Sequence, residues 1–503
     1  MPFIKKDAPA ELIETIHQIE TRADSCYAQL KILRLQANVT VWALLVGAID
    51  LIEREIATRG DNTFNLDAAL LNISRFVPVA MKWAFDYGKP TSKLATRHWT
   101  PNLASEVNKA LFTAHLYTTY LFCLPMWHKH RYAAESVSPA LVRFTALGGD
   151  RNRQVSAYQK GFRPTGGNYK AQRAKKTRSD SENAGAVSTS ISNLPQKGAS
   201  GFEYEDPWDL WQELLPEYEA RITGIVRRAD ALSLGSYSMS DFNKFYTALL
   251  AVCAAHEFLC FAWQKNYGLY PFNSAVLVWP YRRWGSILSN LSGLSFEKCR
   301  DMIGDLTFDF TRSIDLHIHP FVALDPLAMN LALAPQFPLH SRPDENILRV
   351  CSILRPDVFD LTSLEKEPEF RKTLHEICGR YSPQGPINLP KPNPDIDLLL
   401  SDDSSSTLVI AELKWIRKTT RPVEFIERDA EVLKGINQLG KIRKFLNENP
   451  NHLASIGKLP KSMSEYKHIF YVLIARDHWV WVEPEDVAIF EFDVLAAAIK
   501  KVR

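Results

Sequence analysis

Between about Gly149 and Ser200 the chain runs through GGNYKAQRAKKTRSDSENAGAVSTSISNLPQKGASG and related residues, nearly free of large aliphatic side chains. Such a stretch cannot bury enough apolar area to offset its ordering entropy. It reads as a disordered basic and Ser/Gly-rich linker over 149–201, and it divides whatever folds before it from whatever folds after it. Its cluster of Lys170, Arg173, Lys175, Lys176 and Arg178 is either solvated or available to phosphate, which needs no fixed structure.

The remaining organisation follows from periodicity. From Ala10 to about Leu147 apolar residues recur at helical intervals, as in Leu12, Ile16, Ile19 and then Leu44, Leu45, Ala48, Ile52. This predicts a helical domain over 1–148, with a surface for a protein partner or for nucleic acid as the alternative use of its aromatic residues. A helix-rich middle domain is expected over 202–344, with Leu306 to Val322 alternating as a strand would. The segment VWPYRRW (Val278 to Trp284) mixes aromatics with arginines, a pattern that either packs or grips a single strand. The last domain spans 345–503.

Composition excludes several classes. Of 503 residues 46% are hydrophobic and 23% charged, so the chain can build ordinary cores without disulfides or metals to hold it together. The seven cysteines are scattered with no CxxC pair, which points to a reducing, cytoplasmic compartment and against a zinc ribbon. The N-terminal MPFIKKDAPAELIE has no apolar core of a secretory signal. Val39 to Ile49 is too short to span a bilayer, and His256 and Glu257 interrupt Tyr246 to Trp263, so both read as buried helices rather than membrane spans. A net charge of +3 permits nucleic acid as a partner without requiring it.

The chemistry concentrates in NPDIDLLLSDDSSSTLVIAELKW, from Asn393. Ile396 to Leu400 and Leu408 to Trp415 are short apolar runs joined by the turn-forming SDDSSST, an antiparallel hairpin by pattern. Glu412 and Lys414 are two apart and leave the same face of the pleat. Asp397 on the preceding strand is brought beside them. Two carboxylates and an ammonium among Leu, Val and Ile are costly to bury unless something compensates. Mg²⁺ does so, with one or two carboxylates, waters and phosphate oxygens as ligands. Phosphodiester hydrolysis is the reaction that suits such a set.

The same string resembles the core hairpin of the PD-(D/E)XK nuclease superfamily, whose signature is an Asp, an apolar strand and E-x-K. Here these are Asp397 and, fifteen positions on, Glu412-Leu413-Lys414. Asp395 of the literal Pro394-Asp395 is the second choice for the metal ligand, being on the same face by parity. Periodicity makes the chain multidomain and mainly α in its N-terminal and middle regions, and the resemblance, which covers the C-terminal domain only, implies there an α/β restriction-endonuclease-like domain around a mixed central sheet. It implies Mg²⁺ (with Mn²⁺ as substitute) held by Asp397, Glu412 and the Leu413 carbonyl. Glu369, or else Glu376, from the preceding helix would join them. Lys414 and Gln438 would complete the catalytic set, and Lys418, Lys441 and Lys444 would contact nucleic acid, DNA ahead of RNA. A place in bacterial defence or mobile-element biology follows by analogy with the family alone. The rival readings are a non-cleaving nucleic-acid-binding or scaffold protein, and a hydrolase centred on His317 and His319 with Asp315.

Overall fold

A computed structural model describes residues 3–59, 63–89, 98–138, 141–147, 204–225, 232–313, 315–325, 329–341, 343–378, 381–416, 422–476, 487–492 and 495. The linker expected over 149–201 lies outside the described residues. The chain is a mixed α/β protein with a helix-rich front and a four-stranded mixed sheet at its C-terminal end.

The front opens with α1 (Ala10–Asp24), α2 (Ala37–Arg59), α3 (Thr63–Tyr87) and α4 (Pro101–His128). Thr100 caps α4, its hydroxyl accepting the Leu103 N–H, and Pro101 supplies a preset first turn. Helix α2 is buried nearly all round, with Trp42, Leu44, Leu45 and Ile49 each exposed by 1% or less. The helical reading holds to His128 and then fails. Tyr132–Ser138 (β1) and Leu141–Ala146 (β2) form an antiparallel hairpin, Tyr132 opposite Ala146. Its alternation in VRFT has a period of two, a signal the helical reading passed over.

The middle region holds α5 (Trp208–Ile225), α6 (Met239–Tyr267), β3 (Leu277–Pro280), α7 (Tyr281–Ser292), α8 (Phe296–Asp305), β4 (Phe321–Ala323) and β5 (Asn330–Leu333). Ser238 and Asp241 close a capping box on α6, and Gly268, left-handed at φ 74°, ends it. This helix is apolar enough over Met239–Lys265 to cross a membrane, yet 72% of its apolar window is buried inside the protein, as in a core helix. The three strands form a small antiparallel sheet in the order β3-β5-β4. The strand expected over Leu306–Val322 reduces to its last residues. Asp309 and Asp315 bend the chain instead, their carboxylates accepting the N–H of Thr311 at 2.7 Å and of His317 at 2.8 Å. An aspartate that satisfies the backbone two residues on competes with a strand ladder.

The hydrophobic clusters cross the boundary drawn between the first two regions. One cluster joins Trp42, Leu45, Phe76 and Leu111 to Leu259, Val276, Phe308 and Phe337. Within VWPYRRW, Trp279 and Trp284 are buried, and Trp284 Nε1 donates to the Leu331 carbonyl at 3.2 Å, so these rings pack the core.

Helix α9 (Pro343–Leu354) leads into the last region: α10 (Pro356–Ile377), β6 (Leu398–Asp402), β7 (Thr407–Trp415), α11 (Pro422–Glu448), β8 (His468–Arg476) and β9 (Ala488–Glu491). The helix, strand, strand, helix, strand order expected from the sequence is present. Strands run β6-β7-β8-β9, the first pair antiparallel and the next two parallel, with Leu398 opposite Ala411 and Glu412 beside Leu473. Strand β6 begins at Leu398, just after Asp397, and the turn is only Asp403 to Ser406. Asp402 tightens it, accepting from Ser404 N at 3.0 Å and Ser405 Oγ at 2.8 Å. Parity then sorts the sheet. Leu398, Ala411, Leu413, Val472 and Ile474 pack against Phe370 and Leu374 of α10. Leu399, Leu408, Ile410 and Leu473 pack against Val432, Leu439, Ile442 and Leu446 of α11.

Candidate active site

Asp397 and the Glu412–Lys414 segment come together where β7 runs on past the start of β6. Glu412 and Lys414 share the parity of Leu408 and Ile410 on the α11 face of the sheet, while Asp397 sits at a bend just before β6. The carboxylate of Asp397 reaches across to β7, Oδ2 accepting the Leu413 N–H at 2.8 Å. One turn of backbone chemistry thus ties the aspartate to the residue between Glu412 and Lys414. Its own carbonyl is held from the other side, accepting Arg371 Nε at 3.0 Å from α10.

Glu412 is 1% exposed. A carboxylate there is tenable only with charged or hydrogen-bonding partners. Lys414 Nζ supplies one at 2.7 Å from Oε1, its own side chain 19% exposed. The lysine therefore spans the boundary between the buried carboxylate and solvent. Leu413 points to the opposite face and is buried against α10, while in an extended strand its N–H and C=O leave the same edge. That edge is the one Asp397 faces, so the carbonyl named as a ligand is turned toward the aspartate.

Helix α11 closes over the pair through Gly435. A Cβ built there would lie 2.7 Å from Leu473 Cδ1 and 3.1 Å from Lys414 Cε, so only glycine allows this approach without displacement. Gln438 follows one turn later on the same side. It is half-buried, and its Oε1 is buried without a hydrogen bond among the described residues. Lys441 stands exposed on the same flank as Gln438. Lys444 does not: nine residues beyond Gly435, about two and a half turns, it is exposed on the far side of the helix. Lys418 lies outside the described residues.

Asp395 is half-buried two residues before Asp397. Glu369 belongs to α10, which covers the sheet face opposite Glu412 and Lys414; its side chain lies outside the described residues. Glu376 is exposed on the same helix. Arg371 and Gly435 are the residues the sequence reading missed. Gly435 did leave a signal, a glycine inside a helical pattern, which marks close packing.

Among the described residues no three His, Cys, Asp or Glu side chains converge as a metal cage. Mg²⁺ asks for less, one or two carboxylates with waters and phosphate oxygens, and two carboxylates beside a strand-edge carbonyl are oxygen donors of that kind. The donor chemistry fits.

The rival histidine pair sits in a different setting, a buried polar junction between the front and the last region. His317 Nδ1 lies 3.5 Å from Asp315 Oδ1, and Nε2 of His317 and Nδ1 of His319 are buried without hydrogen bonds among the described residues. Burial pushes His319 down to about 4. Burial would raise Asp315, but the His317 bond and the Arg75 charge outweigh it and hold the carboxyl below its ordinary value. Arg349 of α9 and Glu424 of α11, both buried, form an ion pair in the same junction.

Searches against protein-family models, curated proteins and solved structures gave no match to this chain.

Proposed function

We propose that the Asp397–Glu412–Lys414 centre hydrolyses phosphodiester bonds in nucleic acid, DNA ahead of RNA, as a restriction-endonuclease-like domain of PD-(D/E)XK type. The observation that carries this reading is the Asp397 carboxylate on the Leu413 N–H, which draws the strand-leading aspartate to the E-x-K segment. Asp397 and Glu412, with the Leu413 carbonyl, would hold Mg²⁺. When bound, the cation supplies Lewis-acid stabilisation for negative charge on the phosphoryl oxygens.

The protein's own groups do the rest. Lys414 Nζ orients the attacking water and donates to it while its stem stays packed against Gly435. Gln438 offers an amide to the water or to a phosphate oxygen, its side chain one turn past the contact. Lys441 lies further along that flank, where it gives sequence-independent affinity for the backbone.

The test is a cleavage assay on linear, circular and single-stranded DNA, and on RNA, with Mg²⁺, using wild type, Lys414→Ala and Asp397→Ala. Wild type should cut, and each variant should be slower by roughly a hundredfold or more. Variants that cut at the wild-type rate would sink the site assignment. Binding of every substrate with cleavage of none would transfer the reading to a nucleic-acid-binding module.

A further inference from the structure

A second concavity lies away from this site. Helices α3 and α4 and the first turns of α11 enclose a groove of about 980 Å³, at the upper end of the small-ligand range. One wall is aromatic and continuous. Tyr87 stacks on Tyr27 with centroids 4.0 Å apart, Tyr27 meets Trp83 at 6.2 Å, and Trp83 meets Tyr117 edge-on at 5.6 Å. The phenol of Tyr117 donates to Asp24 at 3.0 Å, and burial with that bond pushes it up to about 12, so the wall stays neutral.

The charge of the groove is one-sided. Among the described residues, five carboxylates line it against one guanidinium and one ammonium. At its floor Arg75 faces Asp315 and Glu424, and Arg349 also pairs with Glu424, so those acids are compensated. At its mouth Asp86 and Glu427 are exposed, with Lys82 the one cation beside them among the described lining residues. Negative charge over ring faces repels phosphates and nucleic acid. It attracts an ammonium whose alkyl stem can lie on the rings.

We propose that this groove is a binding site for a small aliphatic polyamine, its ammonium groups at Asp86 and Glu427 and its methylenes along Tyr87 and Trp83. The inference does not rest on the nuclease reading. It does join the two sites physically, since Glu424 and Glu427 begin the helix that carries Gly435 and Gln438.

The test is titration calorimetry of spermidine into the full chain at fixed ionic strength, with Asp86→Asn/Glu427→Gln and Tyr87→Ala as variants. All three positions are solvent-accessible, Tyr87 by 51%, so folding is checked by the melting temperature alone. Saturable binding is expected, weakened about tenfold or more by the double charge variant and severalfold by Tyr87→Ala. Three results overturn the proposal: no saturable binding, the same affinity in the double variant, or Mg²⁺ displacing spermidine while Tyr87→Ala changes nothing. Tighter binding of a lysine-rich peptide with the same losses would also overturn it, in favour of a protein partner.

Discussion

Gly435 of α11 faces Lys414 of β7 so closely that a Cβ would stand 3.1 Å from Lys414 Cε, and 2.7 Å from Leu473 Cδ1 on the neighbouring strand. Alanine is the better helix former by about 1 kcal/mol. The collision costs about 1–3 kcal/mol and falls first on the side chain of Leu473, which is fully buried and has little room to turn. Gly435→Ala should therefore be destabilised by about 1 kcal/mol, read as a lower urea midpoint with an unchanged slope. A stabilised variant would mean that helix and strand are less tightly apposed.

Asp397 has two separable duties, a structural one toward the Leu413 N–H and a chemical one as a carboxylate. Asp397→Asn keeps an acceptor for the 2.8 Å bond and loses the charge. It should retain stability within about 0.5 kcal/mol while abolishing Mg²⁺-dependent cleavage. Asp397→Ala should lose activity and, in addition, about 1–2 kcal/mol for the N–H left unsatisfied. Equal melting temperatures for the two variants would show that the bond contributes nothing.

Replacing Lys414 removes the ammonium beside a carboxylate that is 1% exposed. Breaking a buried pair costs about 3–5 kcal/mol, and the lysine's partial exposure places Lys414→Met near the lower end of that range. Glu412→Gln in the same background should recover part of the loss, which a double-mutant cycle by chemical denaturation would measure.

His319 and His256 are two of the buried imidazoles that make stability depend on acid, with His340, pushed down to about 3, another. Burial pushes His319 and His256 down to about 4 from an ordinary 6.5. Between these values the unfolded chain holds more protons than the folded one, so stability falls as pH falls through this window. Below about 4 the folded histidines protonate too, and this loss levels off. Each contributes on the order of 3 kcal/mol at pH 7. Urea midpoints taken at pH 7 and pH 4.5 should show a smaller drop for His319→Gln than for wild type, and identical drops would refute the assignment.

The buried ion pair of Arg349 with Glu424 ties α9 to the first turn of the helix over the active site. Arg349→Leu alone leaves the buried Glu424 facing Arg75 and should cost about 3 kcal/mol, the low end for breaking a buried pair. Arg349→Leu with Glu424→Leu should be markedly more stable than either single variant. Thermal melts of the three proteins decide this.

The hairpin was legible because parity is a local property. With Glu412 and Lys414 two apart on a strand, one face follows, and placing the turn brings Asp397 to the edge of β7. The strand start was set two residues early, and the turn seven residues long rather than four, because serines and aspartates suit strand ends as well as turns. The failures have related causes. In LTFDFTRSIDLHIHP the alternation is real, but Asp309 and Asp315 capture their neighbours' N–H groups at 2.7 and 2.8 Å, and local hydrogen bonds win over the ladder. Contacts far apart in sequence left no mark at all. Nothing in α9 or α11 read alone foretells that Arg349 meets Glu424, and nothing near residue 42 announces Phe337.

The shared front core changes what counts as a piece of this protein. Trp42 and Phe76 are packed in one cluster with Leu259 and Phe337, so α2 and α3 share one core with residues that follow Tyr204 in the chain. Residues 1–147 expressed alone would be an incomplete half, with apolar surface bare and aggregation the outcome. Co-expressed with 204–503 as a separate polypeptide, they should assemble and purify as a pair. A split at that point then reports the integrity of the front without touching the hairpin of Asp397 and Glu412.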